Sequence, residues 1–405
     1  MIPFSPPYIS EDAIKAVTEV LRSGWITTGP VTKLFEQQLT EYCGNKKTLC
    51  VNSATAGLEL ILRWFGVGPG DEVIIPAYTY CATANVVVHC GAVPVMVDTN
   101  SFDFNISVEG IRKAITSRTK AIIPVDVFGI PCNYNEINEL VDEVEIKKMF
   151  QPQTTVQQLL GRILILSDAA HSVGASYQGK KTGALTDISI FSFHAVKNLT
   201  TSEGGAVALN LPKPFDCDEL YKQLNISSLH GQSKDAYAKT AQKGWRYDVL
   251  EAGYKMNMTD ILAAIGLSQL KEYEGIMKQR KHIFTLYSDL LKAYEWAVLP
   301  EHETPEKCSS FHVYNLKIKN VPEAARDRII DAMLEKDVHV NVHFQPLPLL
   351  TYYKDKGYRI TDVPNAYNNY SCEISLPVFY TMTDDQVREV AETLIFAVEK
   401  NKTEA

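Results

Sequence analysis

Between residues 51 and 210 the chain alternates short apolar runs with segments whose apolar residues recur at helical spacing. The runs are VIIP (73–76), VPVMVD (93–98), AIIPVDVFG (121–129), ILILSD (163–168) and ISIFSFH (188–194), β-branched and bounded by turn-forming residues. Runs of this length and composition read as strands buried on both faces, as in parallel sheets. Between them stand ATAGLELILRWFG, YCATANVVVHCG, SVEGIRKAITS and YNEINELVDEV. The alternation predicts an α/β domain built on a mostly parallel sheet with helices flanking it. The polar, Gln-rich stretch 147–161, KKMFQPQTTVQQLLG, breaks the rhythm and reads as a surface insertion. From Asp260 a helical pattern runs long enough to link two domains. Beyond it, FHVYNLKIK alternates like a half-exposed strand, and EAARDRIIDAMLEK and DDQVREVAETLIFAVEK are amphipathic helices. The expected organisation is a large α/β domain over 12–270 and a small α+β domain over 271–405, with the segment 1–11 packing near the latter.

Charge and cysteine usage exclude several classes. Forty Lys and Arg against 48 Asp and Glu leave a net charge of −8, with no electrostatic footprint for nucleic acid or an anionic membrane. The eight cysteines form no C-x-x-C pair and have no His at zinc spacing, so no metal site is expected and a reducing compartment fits. The start MIPFSPPYIS lacks the features of a signal peptide, and no apolar stretch approaches the roughly 20 residues that span a bilayer. The expected location is the cytoplasm.

The chemistry-bearing residues cluster at predicted strand ends. The run ILILSDAAH delivers Asp168 to the end of its strand, the edge where open α/β sheets bind ligands. The next strand leads into AVKNLTTSEGG, which carries Lys197. A carboxylate and a lysine at neighbouring strand ends suit pyridoxal 5′-phosphate: the amine bonds the aldehyde, and the carboxylate keeps the ring nitrogen protonated. A phosphate needs free amides at a helix N-terminus together with hydroxyls. Ser53, Ala54 and Thr55 stand where TLCVN turns into a helix, and Ser192 lies five residues before Lys197. Tyr80, after VIIP, is placed to cover the ring, and His171 to bond its phenolic oxygen. Gly204 and Gly205 allow close backbone approach. Taken singly, each has a plainer reading: Ser53 and Thr55 as an ordinary helix cap, Asp168 as another, Tyr80 and His171 as core residues, Lys197 as solvated surface.

The segments NSATAGLEL, GVGPGDEVIIPAYTYCATAN, GAVPVMVD, SDAAHSVGA, FSFHAVKNLTTSEGGA and GYKMNMTDILAAIGLSQL, in this order, resemble the successive motifs of the DegT-type sugar-nucleotide aminotransferases. These are fold-type I enzymes of pyridoxal phosphate, and the likeness runs from WITTGP (25–30) to LPVFYTMTDDQV (376–387). Within the family it is greatest to members that aminate a UDP-linked 4-keto pentose to UDP-4-amino-4-deoxy-L-arabinose. The resemblance implies that Lys197 anchors the cofactor, Asp168 meets its ring nitrogen, His171 its phenolic oxygen and Tyr80 its face, while Ser53, Ala54, Thr55 and Ser192 hold its phosphate. It implies a homodimer with shared sites, where Lys255 or Asn257 of GYKMN reaches the neighbouring subunit, and it puts His343 in the substrate site. It further implies L-glutamate as amino donor, a keto sugar on a nucleoside diphosphate as acceptor, and pyridoxamine 5′-phosphate as the alternate cofactor form. Where the family places Glu before the ring-binding Asp, this chain has Ser167, which is expected to alter the hydrogen bonds around Asp168 rather than the chemistry. The competing functions are a sugar dehydratase of the same fold, in which His replaces the lysine, and a non-catalytic regulator that binds the cofactor. An oxidoreductase reading of GVGPG (66–70) founders on Pro69 and on the lack of a following helix start.

Overall fold

A computed structural model describes residues 1–233 and 247–402. Among the described residues, seven strands form the main sheet: β1 (Lys47–Val51), β2 (Glu72–Pro76), β3 (Val93–Val97), β4 (Thr119–Ile122), β5 (Leu164–Asp168), β6 (Ile188–Ser192) and β7 (Gly205–Leu209), in the spatial order 1-7-6-5-4-2-3. All neighbours pair in parallel except β7, which runs antiparallel to both β1 and β6. The fold is therefore the α/β architecture expected, with helices such as Ala54–Phe65, Cys81–His89 and Tyr134–Asp142 between the strands. Strands β2, β4, β5, β6 and β7 are buried along their whole length, which is why the sequence shows unbroken apolar runs rather than alternation.

The antiparallel strand has a consequence for the site. Because β7 is flanked by two strands of opposite sense, β1, β2, β5 and β6 all point their C-terminal ends to one edge of the sheet. The connections that follow them, including the loop 193–204 between β6 and β7, gather there. Gly205 opens β7 against the chain at the end of β1: a Cβ on it would lie 2.5 Å from the Ala54 nitrogen and 2.6 Å from the Ser53 carbonyl carbon. Only glycine lets the helix start so close to the strand.

The helix Asp260–Leu291 ties the molecule together. At its start, the buried Asp260 carboxylate accepts from the backbone N–H of Gly29 (2.8 Å) and Thr32 (2.9 Å) and from the Thr32 hydroxyl (2.6 Å), capping the helix Pro30–Cys43 from outside that helix. Its first half packs Ala263, Leu267, Tyr273 and Ile276 with the layer on β7, and its second half packs Ile283, Phe284, Tyr287 and Leu291 into a separate core. That second core covers a small antiparallel sheet of Ala297–Val298, Tyr314–Ile318 and Glu373–Leu376, and it includes Ile2 from the chain's start.

Three local expectations need correction. The run 121–129 is a strand only to Ile122, after which the chain turns through Pro124 and a single 3₁₀ turn at Val127–Gly129. The strand Tyr314–Ile318 is buried at four of its five positions rather than half-exposed, because Tyr314, Leu316 and Ile318 pack into the second core and Asn315 on the other face is paired with His302 at 3.1 Å; Lys317 has its ammonium 5.4 Å from the centre of the Phe104 ring. The stretch 147–161 is not a mere surface insertion. It forms the end of the helix Val144–Met149 and the helix Thr155–Leu160, and it buries Gln157, whose amide donates to the Phe65 carbonyl at 2.9 Å and whose oxygen accepts from the Gln153 N–H at 2.8 Å. Polar residues in this stretch satisfy the C-terminal carbonyls of a core helix, a role that polarity alone does not reveal. Gln157→Ala is expected to destabilise the protein by about 2 kcal/mol, the cost of stranding buried polar groups, as a lowered urea midpoint with an unchanged slope.

Candidate active site

At the C-terminal edge of the sheet lies a cavity of about 420 Å³. It brings together Ser53, Ala54 and Thr55 after β1, Tyr80 after β2, Asp168 and His171 at the end of β5, Ser192 and Lys197 after β6, and His343 from the small domain. Lys255 and Asn257 do not line it. They lie on a segment that pairs with the end of β1, Lys255 exposed and Asn257 donating to the Thr28 hydroxyl at 2.6 Å.

The helix Ala54–Phe65 begins at the cavity wall. Ser53 is its N-cap, with its hydroxyl accepting from the Ala56 N–H at 3.1 Å, so the plain capping role is real for this side chain. The amides that open the helix, Ala54 and Thr55, have no carbonyl within it to bond and form an anion cradle with the positive end of the helix dipole.

Asp168 is fully enclosed and caps no helix. One carboxylate oxygen accepts from the Thr83 hydroxyl at 2.8 Å and the other from the Ala170 N–H at 3.2 Å. Burial pushes its pKa above the ordinary carboxylate value, against the pull of those donors and of the Lys197 ammonium. Lys197 experiences the reverse: burial lowers it to about 8, with the Asp168 charge resisting. An amine with such a pKa is about one tenth unprotonated at pH 7, far more than an ordinary lysine, and that fraction is nucleophilic. His171 is buried and held neutral, pushed well below the usual imidazole range by desolvation and then by Lys197. Among the described residues, its Nδ1 is the one buried side-chain polar atom without a hydrogen-bond partner. Tyr80 is 61 % exposed, which rules out a core role; its ring faces the cavity 5.9 Å from Phe344.

Several wall residues were not singled out from the sequence. His312 packs its ring 4.5 Å from His171, Phe344 stacks against His171 at 5.8 Å, and Phe4 and Ser5 arrive from the chain's start. Under the floor, the Asp126 carboxylate accepts from Tyr134 (2.6 Å) and Ser172 (2.6 Å), while the Tyr134 hydroxyl lies 2.5 Å from Ser167. Asp126 in turn donates its backbone N–H to the Asp168 carbonyl at 3.2 Å. Ser167 is thus joined, through Tyr134, to a carboxylate contributed from beyond β4. Asp126 lies inside the run 121–129, an acid in an otherwise apolar stretch, a signal that was there to be read; His312 and Phe344 come from distant loops and carried none.

This site unites a buried carboxylate, a lysine of lowered pKa, an anion cradle at a helix start and an uncovered aromatic ring. That set defines a pyridoxal-phosphate enzyme of the fold-type I class. The comparisons with known proteins agree and go further. The profile of the DegT/DnrJ/EryC1/StrS aminotransferase family matches residues 7–151 and 157–395, and the chain belongs to that family. It is 36 % identical to the spore coat polysaccharide biosynthesis protein SpsC of Bacillus subtilis, over 97 % of this chain and 96 % of that one. Among solved structures it is similar to Spr1654 of Streptococcus pneumoniae, named as a sugar aminotransferase, with a TM-score of 0.95 and 43 % identity over 99 % and 100 % of the two chains. It is also similar to Helicobacter pylori PseC, an aminotransferase involved in the biosynthesis of pseudoaminic acid, with a TM-score of 0.86 and 29 % identity over 98 % and 99 %. The protein is a sugar aminotransferase, and its cofactor is pyridoxal 5′-phosphate; the Streptococcus protein has been solved in both the pyridoxal and pyridoxamine forms.

The residues present fit that cofactor. A neutral imidazole with an unpaired Nδ1 stands in the wall, and the donor set around Asp168 leaves the carboxylate short of a cation that a protonated ring nitrogen would supply. With Lys197 as the proposed point of attachment, its titration sets the expected pH dependence. The amine of the cofactor-free protein is protonated below about 8, so the rate of covalent attachment, trapped with borohydride, should rise nearly tenfold per pH unit up to that value and level off above it.

Proposed function

We propose that the protein moves an amino group from an amino acid, L-glutamate, to a keto sugar carried on a nucleoside diphosphate, in the making of amino sugars for surface polysaccharides or glycosylated metabolites. The observation that carries the reading is the placement of Asp168, Lys197 and the unpaired His171 Nδ1 around one cavity at the edge of the sheet. The names of SpsC and PseC, given for polysaccharide and pseudoaminic acid biosynthesis, support a role in amino-sugar supply. The nucleotide link, the donor and the UDP-keto-pentose specificity rest on the sequence resemblance.

When bound, the cofactor carries the amino group between donor and acceptor and takes up the electron pair of the cleaved C–H bond. Each residue then has a role that its surroundings allow. Lys197 would anchor the aldehyde and, as a free amine, would accept the α-proton at Nζ and return it; burial leaves part of that amine unprotonated, and the Asp168 charge keeps it basic enough to take a proton. Asp168, fixed by Thr83 and Ala170, holds a proton on the ring nitrogen. His171 meets the phenolic oxygen, and Tyr80 covers the ring face. Ala54 and Thr55 offer amides to the phosphate, with the Ser53, Thr55 and Ser192 hydroxyls beside them. His343 faces the substrate.

We further infer a homodimer in which Lys255 or Asn257 reaches the phosphate bound by the neighbouring copy; both sit outside their own cavity, on the segment beside β1 that also flanks the cradle. We place the protein in the cytoplasm, where its eight unpaired cysteines stay reduced.

The test is spectroscopic. The purified protein should show the visible absorbance of the attached cofactor, and L-glutamate should bleach it; Lys197→Ala should show neither the attached form nor the glutamate response. Asp168→Asn should retain cofactor while slowing the glutamate reaction roughly 10²–10³-fold, the usual effect of removing one preorganised electrostatic partner. A wild-type protein that holds the cofactor and ignores glutamate would shift the reading to another donor or to a regulator.

A further inference from the structure

Behind the small-domain wall of the cavity stands a chain of polar groups that the transfer described above does not use. His343 lines the cavity, with Phe4 stacked on its ring at 5.3 Å and Phe344 edge-on at 5.1 Å. Its Nδ1 lies 2.9 Å from the Ser375 hydroxyl, and that hydroxyl lies 2.5 Å from Glu373 Oε1. Glu373 Oε2 accepts the backbone N–H of His343 at 3.2 Å. Glu373 and Ser375, both on the strand Glu373–Leu376, are completely buried. The chain thus runs from a sealed carboxyl group to an imidazole at the cavity surface, and Nε2 of that imidazole has no hydrogen-bond partner among the described residues.

A hydroxyl between a carboxyl group and an imidazole can be satisfied in two ways. With Glu373 ionised, Ser375 donates to Oε1 and accepts from Nδ1–H, so His343 shows a bare Nε2 to the cavity. With Glu373 protonated, Oε1–H donates to Ser375, Ser375 donates to Nδ1, and His343 shows Nε2–H. Passing from the second state to the first releases one proton at Nε2, while the Glu373 proton moves to Ser375 and the Ser375 proton moves to Nδ1. The imidazole stays neutral in both.

We propose that Glu373, Ser375 and His343 form a proton relay opening on the cavity at His343 Nε2, in which Glu373 and Ser375 are positioning residues that decide whether His343 meets the sugar as hydrogen-bond donor or acceptor. Only the kinetic part of this inference rests on the aminotransferase reading. The donor state suits the carbonyl oxygen of a keto sugar, and the acceptor state suits an N–H or O–H of the amino product. The surrounding charges favour this route over a charged imidazole. Desolvation, followed by Lys197 across the cavity, lowers His343 to about 3. Desolvation raises Glu373 to about 8, against the donors Ser375 and His343 N–H and the Arg326 guanidinium from the helix Glu323–Leu334. The other titratable groups around the pair are Tyr78, which donates to the His343 carbonyl, His171 and His312, and Cys372 beside Glu373 in the chain. The carboxyl group, not the imidazole, is therefore the one that titrates near neutral pH.

The test reads the tautomer directly. In protein labelled with 15N-histidine and free of substrate, the His343 resonances, identified by their loss in His343→Asn, should show Nε2–H below pH 8 and change to Nδ1–H above it. Glu373→Gln should hold the Nε2–H form to pH 9, because its amide oxygen takes the His343 N–H and its NH₂ faces Ser375 as the acid does. Ser375→Ala, which removes the bridge and keeps the carboxyl group, should abolish the change and serves the same purpose if the glutamine variant folds poorly. In turnover with a keto-sugar acceptor, the change in kcat/KM from pH 7 to 9 should differ about tenfold between the wild type and Glu373→Gln, the share that one group titrating at 8 contributes, since the Lys197 titration is common to both. A wild-type tautomer that ignores pH, or a Glu373→Gln variant that titrates like the wild type, overturns the relay. Neither result bears on whether glutamate bleaches the cofactor, so failure of the relay and failure of the aminotransferase reading are separately visible.

Discussion

Asp168 and Lys197 are two groups that water would keep ionised and that the fold takes out of water together. Each alone would be costly to bury; side by side they share the cost only in part, as the raised carboxylate and the lowered amine show. The Thr83 hydroxyl, the Ala170 amide, and the Asp126 network beneath them hold the carboxylate in one position despite that cost. A site left unbalanced in this way has affinity for a group that brings a cation to Asp168 and an electrophile to Lys197. The rest of the molecule is arranged to maintain that imbalance: a sheet edge to present the groups, and a second core to close them off.

The sheet's one antiparallel strand makes the arrangement possible. It lets β1 and β6 run in the same sense although a third strand separates them, so the anion cradle after β1 and the lysine loop after β6 come to the same edge. Gly205 then brings the cradle close, since any side chain there would collide with Ser53 and Ala54. The long helix Asp260–Leu291 spans both cores, so the walls contributed by Phe4, His343 and Phe344 are held relative to the sheet by packing along one rigid element.

Much of the site was legible because its residues follow strand ends, and strand ends are written locally in β-branched runs and turn residues. Asp168, Lys197, Ser53, Thr55, Ser192, Tyr80 and His171 all fall in that class, and all line one cavity. The residues that were missed fall in another. His312, Phe344 and Phe4 come from loops and a terminus with no periodic signal, and they reach the site only because the small domain folds over it. Glu373 was not singled out; nothing nearby in the sequence shows that it is sealed beneath His343. The stretch 147–161 misled for the same reason, since Gln157 is buried by a carbonyl at Phe65, far away in the chain.

The sequence by itself determined the α/β alternation, the edge at which ligands bind, and the pairing of a carboxylate with a lysine that calls for pyridoxal phosphate. These depend on hydrophobic period and turn chemistry, which act over a few residues. Only the tertiary structure decided which groups lose their water: that Lys197 is lowered, that His171 Nδ1 is left unpaired, and that Glu373 and Ser375 stand behind His343. Desolvation depends on everything packed around a group, and that packing joins segments separated by most of the chain's length.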